Sequence, residues 1–271
     1  RRLWRCVNVL NALVWVFAME PKRFSLACRV GNSLYMGFAG RNLLGLLRKQ
    51  ESKHGGRRGE QVITIWGGAT SRTMRAHWAC HELGLDYEPK LIGSRGGFTQ
   101  TPEFRNLNPK EKIPVLTDEQ FVLTESAAIV TYLFDTYGQK RFIPEPYTKD
   151  RALYNQWISF IQMELDAHTL YVIRKHRDLE SLYGAAPAAV EAAIDGFNKQ
   201  IRVADRFLES NEYLVGDSFS GADLLMTTIL TWAEAYGFEL SSNLADYSGR
   251  MTSREAYKSA ANLNFSITPN D

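Results

Sequence analysis

Residues 112–129 read KIPVLTDEQFVLTESAAI, a short apolar run that contains a proline and is followed by an acidic residue and a serine. Because proline cannot donate to a sheet ladder, Pro114 indicates an edge or strand-entry position at which Ile113 turns its backbone groups outward. A cis bond between these two residues would fix that geometry. After a second short strand the chain enters a helix whose first turn holds Glu125 and Ser126. Free N–H groups, a carboxylate and a hydroxyl converge there, and together they can hold both the carboxylate and the ammonium group of a small peptide.

A glycine-containing turn lies upstream, in QVITIWGGATS at residues 61–71. Alternating β-branched residues predict a strand to Trp66, and helical spacing predicts a helix from Ser71 to Leu83 that Gly84 ends. A further strand over 86–92 completes a right-handed βαβ unit with parallel pairing. Thr70 and Ser71 therefore lie where a strand passes into a helix. Either hydroxyl can face a ligand above the helix N-terminus, and simple capping of the helix is compatible with that role.

These segments resemble the glutathione S-transferase family. The residue–proline pair and the acidic–serine pair have the family's spacing, and AHWACHELGLDY at 76–87 resembles its first helix and the exit into the next strand. SGAD at 220–223 resembles the capping box of its helical domain, and the similarity spans roughly residues 61–262.

The resemblance implies an α/β plus all-α fold, in which a thioredoxin-like βαβ-ββα domain precedes a helical bundle. We expect the first domain over 61–138, a linker over 139–147 that contains Pro144 and Pro146, and the helical domain over 148–271. The polar connection from Gly93 to Asn108 shows little pattern. Predicted helices in the second half are Asp150 to Leu179, Pro187 to Leu208, one that begins at Ser220, and Arg254 to Asn262.

The charge of the chain is unevenly distributed. Its formal net charge is +2, but residues 1–60 hold 12 Lys and Arg against 3 Glu, which leaves a formal −7 for residues 61–271. We expect residues 1–60 to be a poorly ordered extension, and their Arg-rich, acid-poor composition leaves organelle targeting open. The acidic remainder argues against a nucleic-acid partner.

The cysteines and the apolar runs narrow the setting. Cys6, Cys28 and Cys80 offer no paired framework, which favours a reducing, cytoplasmic compartment. No run reaches the ~18 uninterrupted apolar residues of a membrane span, so we expect no membrane association. His77, Cys80 and His81 lack a fourth ligand, and we expect no metal there.

The family's chemistry, which the resemblance implies, is ionisation of the thiol of bound glutathione by a side chain at the first turn. This turn contains no Tyr or Cys, so the resemblance assigns the ionising side chain to the hydroxyl of Thr70 or Ser71. Counting back from Gly84 gives Thr70, and a shift of one residue gives Ser71. The sequence leaves the choice open.

The resemblance also assigns the binding residues. Ile113, held by Pro114, would pair its backbone with the cysteinyl residue of glutathione, and Lys112 would meet the glycyl carboxylate. Glu125 and Ser126 would hold the γ-glutamyl group. The electrophile pocket is expected on the long helix after the linker. Its candidates there, which share a helical face, are His168, Tyr171 and Arg174, although an amphipathic helix burying its own aromatic stripe explains the same pattern.

Three hypotheses follow. The first is a glutathione transferase with glutathione as co-substrate, which attacks small hydrophobic electrophiles or organic peroxides in detoxification and forms a homodimer. The second is a non-catalytic relative used as an interaction module. The third is a glutathione-dependent isomerase or dehalogenase that shares the same site.

Overall fold

The structure is a computed structural model that describes residues 13–19, 23–30, 33–38 and 63–271. The chain divides into a unit over residues 1–60 and a unit over residues 61–271. The described part of the first unit is an antiparallel sheet in the order β1-β2-β3, formed by β1 (Leu13–Met19), β2 (Arg23–Val30) and β3 (Ser33–Phe38). The remainder of the expected extension, with Cys6 and most of the basic residues considered for targeting, lies outside the described residues.

Residues 63–137 form a four-stranded mixed sheet in the order β5-β4-β6-β7, with helices against it. Strands β4 and β5 pair in parallel, whereas β6 pairs antiparallel with β4 and with β7. This topology confirms the predicted thioredoxin-like βαβ-ββα arrangement. The elements are β4 (Ile63–Trp66), α1 (Ser71–Leu83), β5 (Tyr87–Lys90), α2 (Pro102–Leu107), β6 (Val115–Asp118), β7 (Phe121–Thr124) and α3 (Ser126–Tyr137).

Local sequence signals set the ends of α1 and the entry to β6. Thr70 caps α1, and Gly84 ends it in the left-handed region at φ 63°, where a residue without Cβ carries no steric penalty. The Ile113–Pro114 peptide is cis, and Pro114 immediately precedes β6. The predicted strand-entry position is therefore confirmed.

The connection between β5 and β6 contains more structure than its composition suggested. A 3₁₀ turn covers Phe98–Gln100, and α2 follows with Thr101 as its cap and Pro102 in its first turn. Cap and proline are the usual signals of a helix start. The helix is too short to show apolar periodicity and was therefore not predicted from the sequence.

The second half is helical, as predicted. Helix α4 (Lys149–Phe160) continues through Ile161–Leu170, Tyr171–Ile173 and Arg174–Asp178, and the first and last of these segments have the wide turns of π-helix. The capping box of Ser220 and Asp223 is present. The remaining helices are a short one at Glu180–Tyr183, α5 (Pro187–Leu208), α6 (Gly221–Ala235), α7 (Ser242–Thr252) and α8 (Glu255–Asn264).

Apolar side chains from both halves share one core. Helix α6 is buried along most of its length and meets Trp78 of α1 and Ile129 of α3 in that core. A smaller cluster of Trp66, Phe104 and Val115 lies under the connection between β5 and β6. Among the described residues, no helix has the length and apolar character needed to cross a membrane.

Asp223 joins the capping box to the rest of the helical half. Its buried carboxylate accepts hydrogen bonds from the backbone N–H of Leu214 at 2.9 Å, from the N–H and hydroxyl of Ser220 at 2.8 Å each, and from the Tyr247 hydroxyl at 2.7 Å.

We expect Asp223→Ala to lower the free energy of unfolding by about 3 kcal/mol or more, because it leaves several buried donors unsatisfied. Urea unfolding measures the free energy of unfolding of this variant and of the control Asp246→Ala, which changes an exposed residue on α7. Equal losses of stability in the two variants would contradict the prediction.

Candidate active site

A cavity of about 590 Å³ lies between the two halves of residues 63–271. The β/α half supplies Thr70, Ser71 and Arg72 together with parts of the loop 94–113. The helical half supplies Tyr171, Arg174, Leu179, Leu182, Tyr183 and Trp232. The structure thus brings together both candidate hydroxyls, Lys112, Ile113 and two of the three residues predicted for the electrophile pocket. A volume of several hundred Å³ suits a ligand of small-molecule size.

Thr70 and Ser71 have different surroundings. The Thr70 hydroxyl accepts from the Thr73 N–H at 3.0 Å, and the Thr70 N–H donates to the Thr73 hydroxyl at 3.2 Å, which completes the capping box of α1. Ser71 is the first residue of α1, lines the cavity, and its hydroxyl makes no hydrogen bond within the described residues. The Ser71 hydroxyl can therefore bind a ligand without breaking the cap.

Ile113 presents backbone groups for pairing. It lies two residues before Val115, where pairing with β4 begins, and within the described residues its own N–H and C=O make no hydrogen bond. The preceding residue is fixed by a 2.7 Å hydrogen bond from the Asn108 side chain to the Lys112 carbonyl. Gly67 allows this approach, because a Cβ there would lie 2.8 Å from the Ile113 Cβ. An extended peptide can add to the chain at this point as a further strand.

Glu125 and Ser126 are not among the residues that line this cavity, and Glu125 is connected to it through Lys110. Lys110, which lines it, donates to the exposed Glu125 carboxylate at 2.5 Å. Glu125 has a positive φ of 72°, and Ser126 is buried with its hydroxyl accepting from Arg75 Nη1 at 3.1 Å. A strained backbone outside glycine is often found at ligand clamps. The Ser126 hydroxyl accepts from Arg75, so its own hydrogen and the N–H at the start of α3 are the donors that Ser126 offers to a ligand.

Arg75 links the site to the helical half. Its side chain is fully buried and donates to Asp166 Oδ2 at 2.9 Å, to Gln162 at 2.6 Å and to Thr228 at 2.8 Å, besides Ser126. Asp166 also accepts from Arg72 at 2.5 Å. Burial alone would raise the pKa of Asp166, but the charges and hydrogen bonds of Arg75 and Arg72 outweigh it and hold that pKa below its usual value. The carboxylate therefore stays charged at neutral pH.

This network was not predicted from the sequence. Arg72 is tied to a carboxylate that lies 94 positions further along the chain. The sequence offers one signal for this network, which is that Arg75 lies among the residues of α1 that face the core. Arginine is rarely buried without a partner, so this position indicates a buried ion pair. The partner itself has no local signature.

The three residues predicted for the electrophile pocket separate in the structure. Tyr171 and Arg174 line the cavity, but His168 is exposed and does not. The prediction assumed regular α-helical phase, and the π-helical turns of Ile161–Leu170 change which residues share a face. Burial would raise the pKa of Tyr171, but the positive charges of Lys112, Arg72 and Lys175 lower it below the usual value.

Of the three candidate metal ligands, His77 and Cys80 belong to the core, whereas His81 is partly exposed. His77 is buried between the Tyr87 hydroxyl and the Gly67 carbonyl, each at 2.9 Å, and burial lowers its pKa to about 4. Cys80 is fully buried, and burial raises the pKa of its thiol. Across the described residues, no cluster of His, Cys, Asp and Glu side chains has the arrangement of a metal site.

Comparison with known proteins gives consistent matches. The family models described as "Glutathione S-transferase, N-terminal domain" and "Glutathione S-transferase, C-terminal domain" match residues 61–135 and 160–255. Glutathione S-transferase D7 of Drosophila melanogaster is 33% identical over 162 residues, which are 59% of this chain and 69% of that protein.

Solved structures agree in fold. A glutathione transferase from Phanerochaete chrysosporium with oxidized glutathione superposes with a TM-score of 0.68 at 23% identity, covering 76% of this chain and 96% of the other. A theta class glutathione S-transferase from Xanthomonas axonopodis pv. citri with glutathione bound gives a TM-score of 0.63 at 26% identity, covering 77% and 99%.

The depressed pKa of Asp166 predicts an acid-sensitive contribution to stability. A carboxyl group whose pKa falls on folding stabilises the folded state above its unfolded pKa of ~3.9, and this contribution is lost as pH falls through the folded value. We expect Asp166→Asn to lower the free energy of unfolding by about 3–5 kcal/mol at neutral pH, because it leaves Arg75 uncompensated. Below pH ~4 the difference from the unsubstituted protein should shrink.

Urea unfolding at a series of pH values measures this effect. Asp135→Asn is the matched control, since Asp135 is paired with Arg151 at the surface and its loss should cost about 1 kcal/mol or less. A loss for Asp166→Asn that is as small as the control, or that does not change with pH, would contradict the prediction.

Proposed function

This chain belongs to the glutathione S-transferase family, and we propose that it binds glutathione in the cavity between its two halves and ionises the thiol through the Ser71 hydroxyl. The thiolate then attacks a small hydrophobic electrophile or an organic peroxide. With an aryl halide, a carbon–sulfur bond forms and the halide leaves with the bonding electrons. The observation that carries the proposal is the uncommitted Ser71 hydroxyl at the first residue of α1, facing the same cavity as Ile113.

Activation of the thiol needs only a stabilised thiolate. A cysteine thiol has a pKa near ~8.5, and a hydroxyl hydrogen bond together with a helix N-terminus favours its anion. Ser71 supplies the hydrogen bond, and the N–H groups of the first turn of α1 supply the positive end of the helix. Each unit of pKa lowering requires about 1.4 kcal/mol of differential interaction. Thr70 supports this function as the cap that holds the turn, so of the two candidates we assign the thiol contact to Ser71.

The peptide itself would be held in three places. The Ile113 backbone, preceded by Lys112 and fixed by Pro114, would pair with the cysteinyl residue. Lys112 has no ion pair within the described residues and suits the glycyl carboxylate. The Glu125 carboxylate would bind the ammonium group of the γ-glutamyl residue. The N–H of Ser126, at the start of α3, would bind the carboxylate of the same residue.

The helical half would hold the electrophile. Tyr171, Tyr183 and Trp232 give its wall an aromatic character, and Leu179 and Leu182 add apolar surface. Arg174 contributes a charge that suits nitro or carboxylate substituents. We propose Tyr171 and Arg174 as pocket residues and leave His168 out, since it is exposed.

Several broader expectations remain part of this proposal. The division into a glutathione-binding domain over 61–138, a linker over 139–147 and a helical domain over 148–271 follows the family pattern. A homodimer, a cytoplasmic location and a detoxifying role follow from resemblance alone. An isomerase or dehalogenase would share the same site, whereas a non-catalytic module would lack glutathione turnover.

Ser71→Ala should lower kcat about 10- to 100-fold, because it removes a hydrogen bond made to a developing anion. The KM for glutathione should stay within about threefold, since the peptide contacts remain. Ser71→Thr keeps a hydroxyl and should retain more turnover. Steady-state kinetics with a chlorodinitrobenzene as electrophile measures both variants.

Thr70→Ala distinguishes the two hydroxyls. It should mainly lower the free energy of unfolding, by about 1 kcal/mol, because it removes the cap of α1. If Thr70→Ala lowers kcat as much as Ser71→Ala, or if neither does, Ser71 is not the thiol contact.

Glu125→Gln should weaken glutathione binding about tenfold, because it removes the charge that would hold the γ-glutamyl ammonium group. Isothermal titration with glutathione measures the affinity, and Glu103→Gln on the exposed side of α2 is the matched control. Unchanged affinity in Glu125→Gln would show that the γ-glutamyl group binds elsewhere.

A further inference from the structure

The last residue of α8 contacts the turn that carries Ser71. Asn264 is fully buried, and its side-chain oxygen accepts from the Thr73 hydroxyl at 2.6 Å. Its side-chain nitrogen donates to the Thr70 carbonyl at 3.1 Å, and its backbone carbonyl accepts from the Ala69 N–H at 2.7 Å. Three hydrogen bonds therefore reach the residues on both sides of Ser71.

This turn needs external support. Gly67 and Gly68 precede it, and glycine leaves the backbone free to adopt many conformations. Ala69 lies at φ 56°, a conformation that costs a non-glycine residue free energy and persists where the surroundings impose it. The backbone of Asn264 holds Ala69 through its carbonyl, and the side chain of Asn264 holds the next part of the turn through the Thr70 carbonyl and the Thr73 hydroxyl. These two side-chain bonds are the part of the support that a substitution of Asn264 removes.

Helix α8 also contacts α1 through residues that precede Asn264 by one helical turn or more. Arg254 donates to both oxygens of Glu82, at 2.6 and 2.7 Å, and Glu82 is nearly buried. The ring of Tyr257 meets that of Trp78 edge-on at 4.9 Å. A bidentate pair and an aromatic contact fix the direction of α8 along α1. The end of α8 is thus a rigid support for the start of α1.

From these contacts we propose that Asn264 is a positioning residue for Ser71, which holds the active-site turn so that the Ser71 hydroxyl meets the glutathione thiol. The inference rests on the proposed function, because it acts through Ser71. It assigns to the C-terminal helix of the helical half a part in activating the thiol that binds in the β/α half. Displacement of a catalytic group by about 1 Å can cost up to ~100-fold in rate, so a support of this kind affects chemistry as well as stability.

The residues after α8 extend the same contact. A Cβ placed on Gly68 would lie 2.9 Å from Ile267 Cδ1, so this part of the chain lies directly against the turn. The Pro269 carbonyl accepts from the Arg95 N–H at 2.7 Å. The segment 264–269 therefore crosses from the Ser71 turn to the loop 94–113, which lines the same cavity.

Asn264→Ala tests the proposal, with Asn262→Ala as its matched control on the exposed side of the same helix. The readouts are the pKa of enzyme-bound glutathione, followed by ultraviolet absorbance of the thiolate, and the pH dependence of kcat with a chlorodinitrobenzene. We expect Asn264→Ala to raise the bound thiol pKa by about one unit and to lower kcat about tenfold below that pKa, with KM for glutathione within about threefold. The loss of kcat should shrink at higher pH, and Asn262→Ala should show neither change.

A purely structural role gives a different result. Asn264→Ala would then lower Tm but leave the thiol pKa and the pH profile of the folded enzyme unchanged, and that outcome overturns the proposal. If Asn264→Ala does not fold, Asn264→Ser, which keeps a polar group in the same space, takes its place with the same expected and contradicting outcomes. Ser71→Ala separates the two levels of inference. An unchanged thiol pKa in Ser71→Ala refutes the proposed function, whereas a raised pKa there with an unchanged one in Asn264→Ala refutes the positioning role alone.

Discussion

The buried charge of Asp166 is the constraint on which the rest of residues 63–271 depends. A carboxylate taken out of water costs several kcal/mol unless it is paired, and here the compensating charges, Arg75 and Arg72, both come from α1 in the other half. The halves can satisfy this charge only when α1 lies against the helix that carries Asp166. Because Arg75 also binds Ser126 and Thr228, the starts of α1 and α3 and the middle of α6 are fixed by the same contact. The cavity walls therefore face each other as a consequence of charge pairing as well as apolar burial.

In the proposed function, the turn at Thr70 and Ser71 separates two tasks that one hydroxyl could not perform together. Thr70 satisfies the free N–H of Thr73 and keeps α1 in place. Ser71, one residue on, lines the cavity, and its hydroxyl makes no hydrogen bond within the described residues. A single residue acting as both cap and thiol contact would have to weaken one hydrogen bond to strengthen the other. Adjacent hydroxyls remove that conflict.

The features that were predicted correctly depend on residues close together in the sequence. The bounds of α1 follow from Thr70 and Gly84, and the start of α3 follows from the Glu125–Ser126 pair. Helix α7 was missed although Ser241 caps it, because its apolar pattern lies within a polar stretch. His168 was placed with Tyr171 by a periodicity that the π-helical turns do not follow. The contacts of Asp166 and Asn264 join positions far apart in the chain, and no spacing rule describes them.

The distribution of charge around the cavity bears on how the thiol is activated. Arg72 is matched by Asp166 and Lys110 by Glu125, so within the described residues the cavity-lining cations without an ion pair are Arg95, Lys112 and Arg174. A glutathione thiolate carries two carboxylates, one ammonium group and one thiolate, and its net negative charge is favoured by those cations. Their effect acts over several ångströms and is weakened by salt, whereas the proposed Ser71 hydrogen bond would act on the sulfur alone and depend on geometry. In the proposed mechanism, thiol ionisation would therefore be shared between a field set by the cavity and a contact set by the turn, and Asn264 would hold that turn.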